Sequence, residues 1–343
     1  MTAWRARLHG DPLPWLLEPD EVQPAVRCFA LRDLLDEPET GRAVRSAKQA
    51  VMATGPVPAI LANQAPEGYW VKPGPGYYQK YRSTAWQVIL LAHLGADGAH
   101  SQVNAACEYI LSHARASNGG FSTNATPSMF VHCLAGNLEA ALIDLGWLND
   151  PRLQAAMDWQ ARTITGDGVA PPDQTGTPKR YYLSGTSGPL FSCAINGRLP
   201  CAWGGVKALL AFSKVPKERR TPAVRAAISA GTQFLLSKDP AVADYPFGYG
   251  AKPSGNWFRF GYPLGFVADV LQNLEVLAAL GHARDARLAR AVELVESKQD
   301  AQGRWKLEST FNGKMWIEIE TKGAPSKWVT LRALRVLRAA YGD

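Results

Sequence analysis

The stretch Asp285-Ala286-Arg287-Leu288-Ala289-Arg290-Ala291-Val292-Glu293-Leu294-Val295-Glu296-Ser297-Lys298-Gln299, closing on Asp300-Ala301-Gln302-Gly303-Arg304-Trp305, decides the fold. Leu288, Ala291, Val292, Leu294 and Val295 recur at helical spacing and predict a helix with one buried stripe. Gly303 and Trp305 predict its stop, a turn followed by a large aromatic plug.

The same phrase recurs at intervals of roughly 50 to 70 residues, the range of closed or stacked repeat arrays. Leu94-Gly95 leads through Val103 to Leu111 and ends on Gly119-Gly120-Phe121. Leu145-Gly146 leads through Asp150 to Trp159 and ends on Gly166-Asp167-Gly168. Thr221-Pro222 opens another copy that runs to Leu236, and Ile60 to Gln64 followed by Gly68-Tyr69-Trp70 repeats the ending in full.

Two kinds of helix alternate. Pro24 to Asp36, Arg82 to Gly95, Phe130 to Gly146, Ala202 to Ser213, Leu264 to Gly281 and Ser326 to Tyr341 are apolar nearly all round, as helices surrounded by others must be. Between them lie striped helices near Gly41 to Asn63, Gln102 to His113, Pro151 to Thr165, Pro222 to Leu236 and Asp285 to Gln299. Six inner and about six outer helices predict an all-α fold, an (α/α)6 toroid formed by a single domain over residues 1–343, with residues 1–23 as a closing segment; a solenoid is the alternative. Asn312-Gly313 between β-prone runs predicts a small hairpin over residues 305–320, either a lid or a strut.

With 343 residues and 46% hydrophobic content the chain can bury a large core. Met1 to Asp20 lacks the apolar run of a secretory signal, and the best apolar run, Ala85 to Leu94, is about half a membrane span. Five cysteines without tight spacing predict a reducing compartment, hence a cytoplasmic protein, with peripheral membrane contact left open. The net charge is +7, but Arg284, Arg287, Arg290, Arg332, Arg335 and Arg338 are spread along helices like solvated faces, which argues against nucleic acid. Nothing in the sequence sets an oligomeric state.

Inner-to-outer connections are short, whereas outer-to-inner ones, such as Gln64 to Tyr81, Thr165 to Cys201, Ser237 to Pro263 and Lys298 to Pro325, are long. In a toroid the long ones share the end where inner helices begin, so the active mouth is expected there, with helix N-termini favouring an anion.

Gln64-x3-Gly68-x-Trp70 and Gln299-x3-Gly303-x-Trp305 resemble the Gln-x(2-5)-Gly-x-Trp repeat of the squalene cyclase and protein prenyltransferase superfamily, and Gly119-Gly120-Phe121 looks like its degenerate form. With the helix alternation the resemblance spans nearly the whole chain. It implies an α/α toroid and an enzyme of isoprenoid chemistry, a lyase or isomerase, with a prenyltransferase-like transferase as the alternative. The sequence has neither the Asp-x-Asp-Asp acid motif of the cyclases nor an Asp-Asp-x-x-Asp magnesium motif.

His132, Cys133, Cys193 and Cys201 fall at the expected mouth, where three thiolates and an imidazole suit a tetrahedral zinc. Prenyltransferases and lanthionine cyclases are similar toroids that hold a catalytic zinc with Cys and His. The alternative is that the thiols are small buried hydrophobes and His132 a satisfied polar neighbour. Lys80, Tyr81, Arg82 and Trp86 enter one inner helix, Arg259 and Tyr262 another, and Lys327 and Trp328 a third, while Trp203 lies near Cys201. Lys80, Arg82 and Lys327 are expected to clamp an anion, and the aromatics to line an apolar chamber able to stabilise positive charge. Asp269, among apolar neighbours, is the expected proton donor, or else is paired with Lys327 or Arg82. Glu139, Glu275, Asp244 and Glu308 are weaker choices.

The expected function is therefore a terpenoid cyclase-like enzyme acting on an apolar, isoprenoid-like small substrate with an anionic end, by acid-initiated cyclisation or isomerisation. A zinc-dependent transferase or cyclase and a noncatalytic binding toroid are the alternatives.

Overall fold

The chain is described by a computed structural model covering residues 2–167, 186–248 and 254–342. Gly168 and parts of two long connections, residues 168–185 and 249–253, lie outside the described residues. The helices are α1 (Leu13–Leu17), α2 (Pro24–Leu35), α3 (Arg42–Ala53), α4 (Pro56–Leu61), α5 (Thr84–His93), α6 (Ser101–His113), α7 (His132–Asp144), α8 (Pro151–Thr165), α9 (Ala202–Ser213), α10 (Pro222–Leu236), α11 (Val270–Ala279), α12 (Ala289–Glu296) and α13 (Lys327–Tyr341). None is long and apolar enough to cross a membrane.

The six helices predicted to be surrounded form an inner ring. α5 packs on α7, α7 on α9, α9 on α11, α11 on α13 and α13 on α2. Gly95, just past α5, completes the circle against Phe29 of α2, where a Cβ would come within 3.1 Å of the ring. α7 and α9 approach closely because Gly136 faces the Lys207 carbonyl, which a Cβ would meet at 2.2 Å. The outer layer follows, with α3 on α2, α6 on α5, α8 on α7, α10 on α9 and α12 on α11 and α13. The fold is an all-α toroid.

The repeat phrase has one geometry in its two full copies. The indoles of Trp70 and Trp305 donate to Ile60 O (2.9 Å) and Val295 O (2.7 Å), each ten residues earlier. Their backbone N–H groups donate to Thr84 and Thr330 Oγ1 on the next inner helix, both at 3.0 Å. Each glutamine reaches the next outer element: Gln64 donates to Gln102 O, and Gln299 to Arg7 O while accepting from His9 N–H. The phrase is a three-way tie between an outer helix, the following inner helix and the neighbouring repeat.

Three sequence expectations are corrected. The helix expected over Gly41 to Asn63 is broken into α3 and α4, because Pro56 cannot continue the hydrogen-bond ladder and Gly55 takes φ +73°. The helix expected from Leu264 starts instead at Val270, where the Asp269 side chain caps it by accepting from Gln272 N–H. The hairpin over residues 305–320 is not formed: β1 (Trp305–Lys306) pairs antiparallel with β2 (Pro325–Ser326), with Trp305 opposite Ser326. Asn312-Gly313 makes a turn, but the Asn312 amide donates to Glu320 O and its carbonyl accepts from Ile319 N–H, so side-chain bonds replace a ladder there.

Candidate functional site

At the expected mouth the described side chains pack on one another. Its aromatics find one another: Tyr81 stacks on Phe311 at 3.8 Å and meets Trp86 edge-on at 5.0 Å, and Trp86 donates to Tyr77 O. Lys80 lies over the rings of Tyr77 (5.0 Å) and Phe266 (4.4 Å), and Trp203 packs near Phe266. The segment before α11 then dips into the ring. Gly265 packs under Tyr81 and Phe311, its carbonyl accepts from the Asn137 amide (2.9 Å), and Tyr262 stacks on Trp328 at 4.0 Å while donating to His93 O. Apolar and aromatic side chains on a long connection gain more by closing the ring than by lining open water.

A cavity opens toward the other end. A chamber of about 500 Å³ is walled by residues of all six inner helices, near the C-termini of α5, α7 and α9 and along α2, α11 and α13, with Tyr262, Leu264 and Trp328 also lining it. It reaches solvent beside the partly exposed Lys214 and Asp144. Small residues form much of the wall, among them Ala25, Ala92, Ala140, Ala141 and Ala279. Five cations, Arg32, Lys48, Lys214, Arg332 and Arg335, share it with the carboxylates Asp33, Asp144 and Glu275. These cations also offset the partial negative charge of the converging helix C-termini.

Every wall carboxylate is paired. Asp33 contacts Arg32 at 2.6 Å and Arg335; burial pushes its pKa up, but the charges of Arg335 and Arg32 outweigh that and hold it below its ordinary value. Lys214 bonds Asp144 at 2.8 Å. Arg332, on α13, donates to Glu275 (2.8 Å), to both oxygens of Asp269 (2.9 and 3.1 Å) and to Gly261 O (2.8 Å).

That network corrects the role expected of Asp269. Its carboxyl accepts from Gly261 N–H, Gln272 N–H and two guanidinium nitrogens, so both oxygens are taken up in holding the cap and the guanidinium. Its cation is Arg332, not Lys327 or Arg82. Arg332 is 5% exposed and so no solvated-face residue. The anion clamp is dispersed as well: Lys327 bonds Asp20 at 2.9 Å, Arg82 lies exposed over Trp316 at 5.1 Å, and Arg259 is exposed on the rim. Of the expected binding residues, Tyr262 and Trp328 alone line the chamber. Among the weaker acids, Asp244 faces Lys238, Glu308 pairs with Lys298 at 2.7 Å, and Glu139 is buried with its pKa pushed well up by burial and no partner among the described residues.

The chamber residues missed in the sequence had a signal. Trp328, Arg332 and Arg335 stand at i, i+4 and i+7, one face of a helix already assigned to the inner ring. An inner helix has no solvated face, so the guanidiniums had to point inward or pair.

The four residues expected to hold zinc are engaged in other contacts. Among the described residues no three His, Cys, Asp or Glu side chains converge as metal ligands. His132 Nε2 is bonded to Gly188 O at 2.9 Å, its pKa held down to about 4 by burial, and burial pushes Cys133 up to about 11. Cys193 and Cys201 do meet, thiol to thiol. The bond from Cys201 lowers Cys193 to about 6, and Cys201 rises well above its ordinary value.

One further ionisable group is left inside the ring. Lys207 is fully buried, its amine has no hydrogen-bond partner among the described residues, and burial holds its pKa down to about 7 against 10.5 ordinarily. Between those values the unfolded chain binds the extra proton, so stability rises with pH from about 7 toward 10.5, and Lys207 is most destabilising at and below pH 7. Lys207→Met is expected to raise the urea midpoint at pH 6, with the gain vanishing near pH 10.5. A gain that does not change with pH would show that the amine does not titrate in this range.

No model of a known protein family matches the chain, and no curated protein does. Among solved structures it is similar to the apo form of MstE, a type II terpene cyclase from Scytonema, at 12% sequence identity and a TM-score of 0.30, over 82% of this chain and 95% of that one. The toroid described above stands on this chain's own contacts.

Proposed function

We propose that the protein is a terpenoid cyclase-like toroid that takes an apolar, isoprenoid-like molecule with an anionic end into the chamber at the C-terminal end of the inner ring. The observation that carries this is the wall itself. It mixes alanines and aromatics with paired charges, and three of its residues keep a buried polar atom without a partner among the described residues: Arg335 Nε, Gln272 Oε1 and His93 Nδ1. Buried polar atoms are nearly always bonded in folded proteins, so this set supports a ligand with an oxygenated end. Arg335 is the donor best placed to read its charge, and His93, held neutral with its pKa near 3 by burial, offers a hydrogen bond without adding charge. A cavity of about 500 Å³ is within the range of small-molecule sites.

A second reading, binding without turnover, is favoured by one observation. Each carboxylate on the described wall faces a cation, which leaves no acid there to begin a cyclisation. Both readings are tested by titrating the purified chain with farnesyl diphosphate, following intrinsic tryptophan fluorescence, and analysing extracts by gas chromatography and mass spectrometry. Saturable binding that weakens about tenfold or more in Arg335→Ala is expected, the loss of one charge-assisted hydrogen bond. New cyclic or isomerised product selects the enzyme, and binding without product selects the carrier. Absence of saturable binding to the diphosphate and to farnesoic acid alike would remove both.

A further inference from the structure

The segment between α8 and α9 holds two free thiols in contact that neither the chamber nor the toroid uses. Ser192 and Pro200 form an antiparallel bridge, with Cys193 N–H donating to Leu199 O at 3.1 Å and Cys201 N–H to Phe191 O at 2.9 Å. In that register Cys193 and Cys201 are diagonal neighbours on one face of the ribbon, within reach of each other. Their thiols are hydrogen-bonded, and both cysteines are free. Cys201 is also the residue from which α9 starts, whereas Leu190, Ile195 and Leu199 around the pair are exposed.

We propose that Cys193 and Cys201 are a redox modification site that a peroxide converts to a reversible intrachain disulfide, tying the exposed loop to the start of inner helix α9. Cys193, whose thiol receives the bond from Cys201, attacks one peroxide oxygen; the O–O bond breaks and the departing hydroxide leaves as water, giving a sulfenic acid. Cys201 sulfur then attacks Cys193 sulfur, the S–O bond breaks, the S–S bond forms, and a second water leaves. The peroxide gains two electrons, the dithiol loses two, and both thiol hydrogens end in water. An external dithiol reverses the change. Cys28 and Cys107 are buried in helices, and Cys133 lies near enough for its charge to act on Cys201, but the thiol–thiol hydrogen bond joins Cys193 and Cys201.

The test uses the full chain treated with one equivalent of hydrogen peroxide, alkylated with iodoacetamide, digested with trypsin without reduction and mapped by mass spectrometry. Arg198, exposed between the two cysteines, lets trypsin place them on separate peptides unless a disulfide joins them. The expected result is a linked Cys193–Cys201 peptide pair that disappears with dithiothreitol. In Cys201→Ser the link is lost and dimedone labels Cys193 instead, while Cys193→Ser leaves Cys201 alkylated and unoxidised. Full alkylation of both cysteines after peroxide, a first link through Cys133, Cys28 or Cys107, or uniform oxidation of all five would overturn the proposal; the wild-type map decides it even if a variant does not fold.

Discussion

Replacing Arg332 by methionine is expected to lower the folding free energy by about 3–5 kcal/mol, the loss seen when one partner of a buried ion pair is removed. The guanidinium holds Asp269, Glu275 and the Gly261 carbonyl at once, and it bridges the N-terminus of α11 to the segment that closes the mouth. Glu275 is 21% exposed and can turn to water when the arginine goes; Asp269, 1% exposed, cannot. Asp269→Asn keeps the helix cap and loses one charge, so it should cost less alone and should recover part of the Arg332→Met loss in the double variant. Urea unfolding of the four proteins measures this coupling. A single-variant loss below about 1 kcal/mol, the level of a surface pair, would mean that Arg332 is solvated and the network is not buried.

The second large effect is expected from the repeat's aromatic plug. Trp305→Ala should cost about 3–5 kcal/mol, the usual loss for a large aromatic truncated in a core. Trp305 is fully buried, and its indole and backbone N–H tie α12 to α13. Trp305→Phe keeps most of the apolar area and loses the bond to Val295 O, about 1 kcal/mol. Trp70→Ala, in the matching geometry, should behave alike. If thermal unfolding showed Trp305→Ala within about 1 kcal/mol of the parent, Trp305 would be a lid residue and not a tie between repeats.

What the sequence made legible follows from periodicity. The alternation of helices apolar all round with helices striped on one face allows few arrangements other than a double-layered ring, and inner helices such as α7 and α9 fall within a residue or two of their expected bounds. Helix starts set by side-chain caps were less visible. Asp269 reads as an acid in an apolar run, and its use as a cap depends on the segment before it, held by Asn137 at Gly265 O and by Gly261 N–H at Asp269 itself. Asn312-Gly313 carries a hairpin signal, yet its flanks spend their hydrogen bonds on side chains and on β2.

The site was the part least open to sequence reading. Lopsided connection lengths pointed to the end where inner helices begin, and the aromatics and cations there matched a chamber wall. In the folded protein those same side chains satisfy one another, Tyr81 on Phe311, Lys80 over Phe266, Lys327 on Asp20.

The sequence by itself determined the ring, since burial on every side is written into the composition of a helix and repeats with a fixed tie can stack only on one another. Only the tertiary structure showed the chamber among the inner helices. Its place depends on how far each long connection folds inward and on which small residues face each other across the axis, distances that no local pattern encodes.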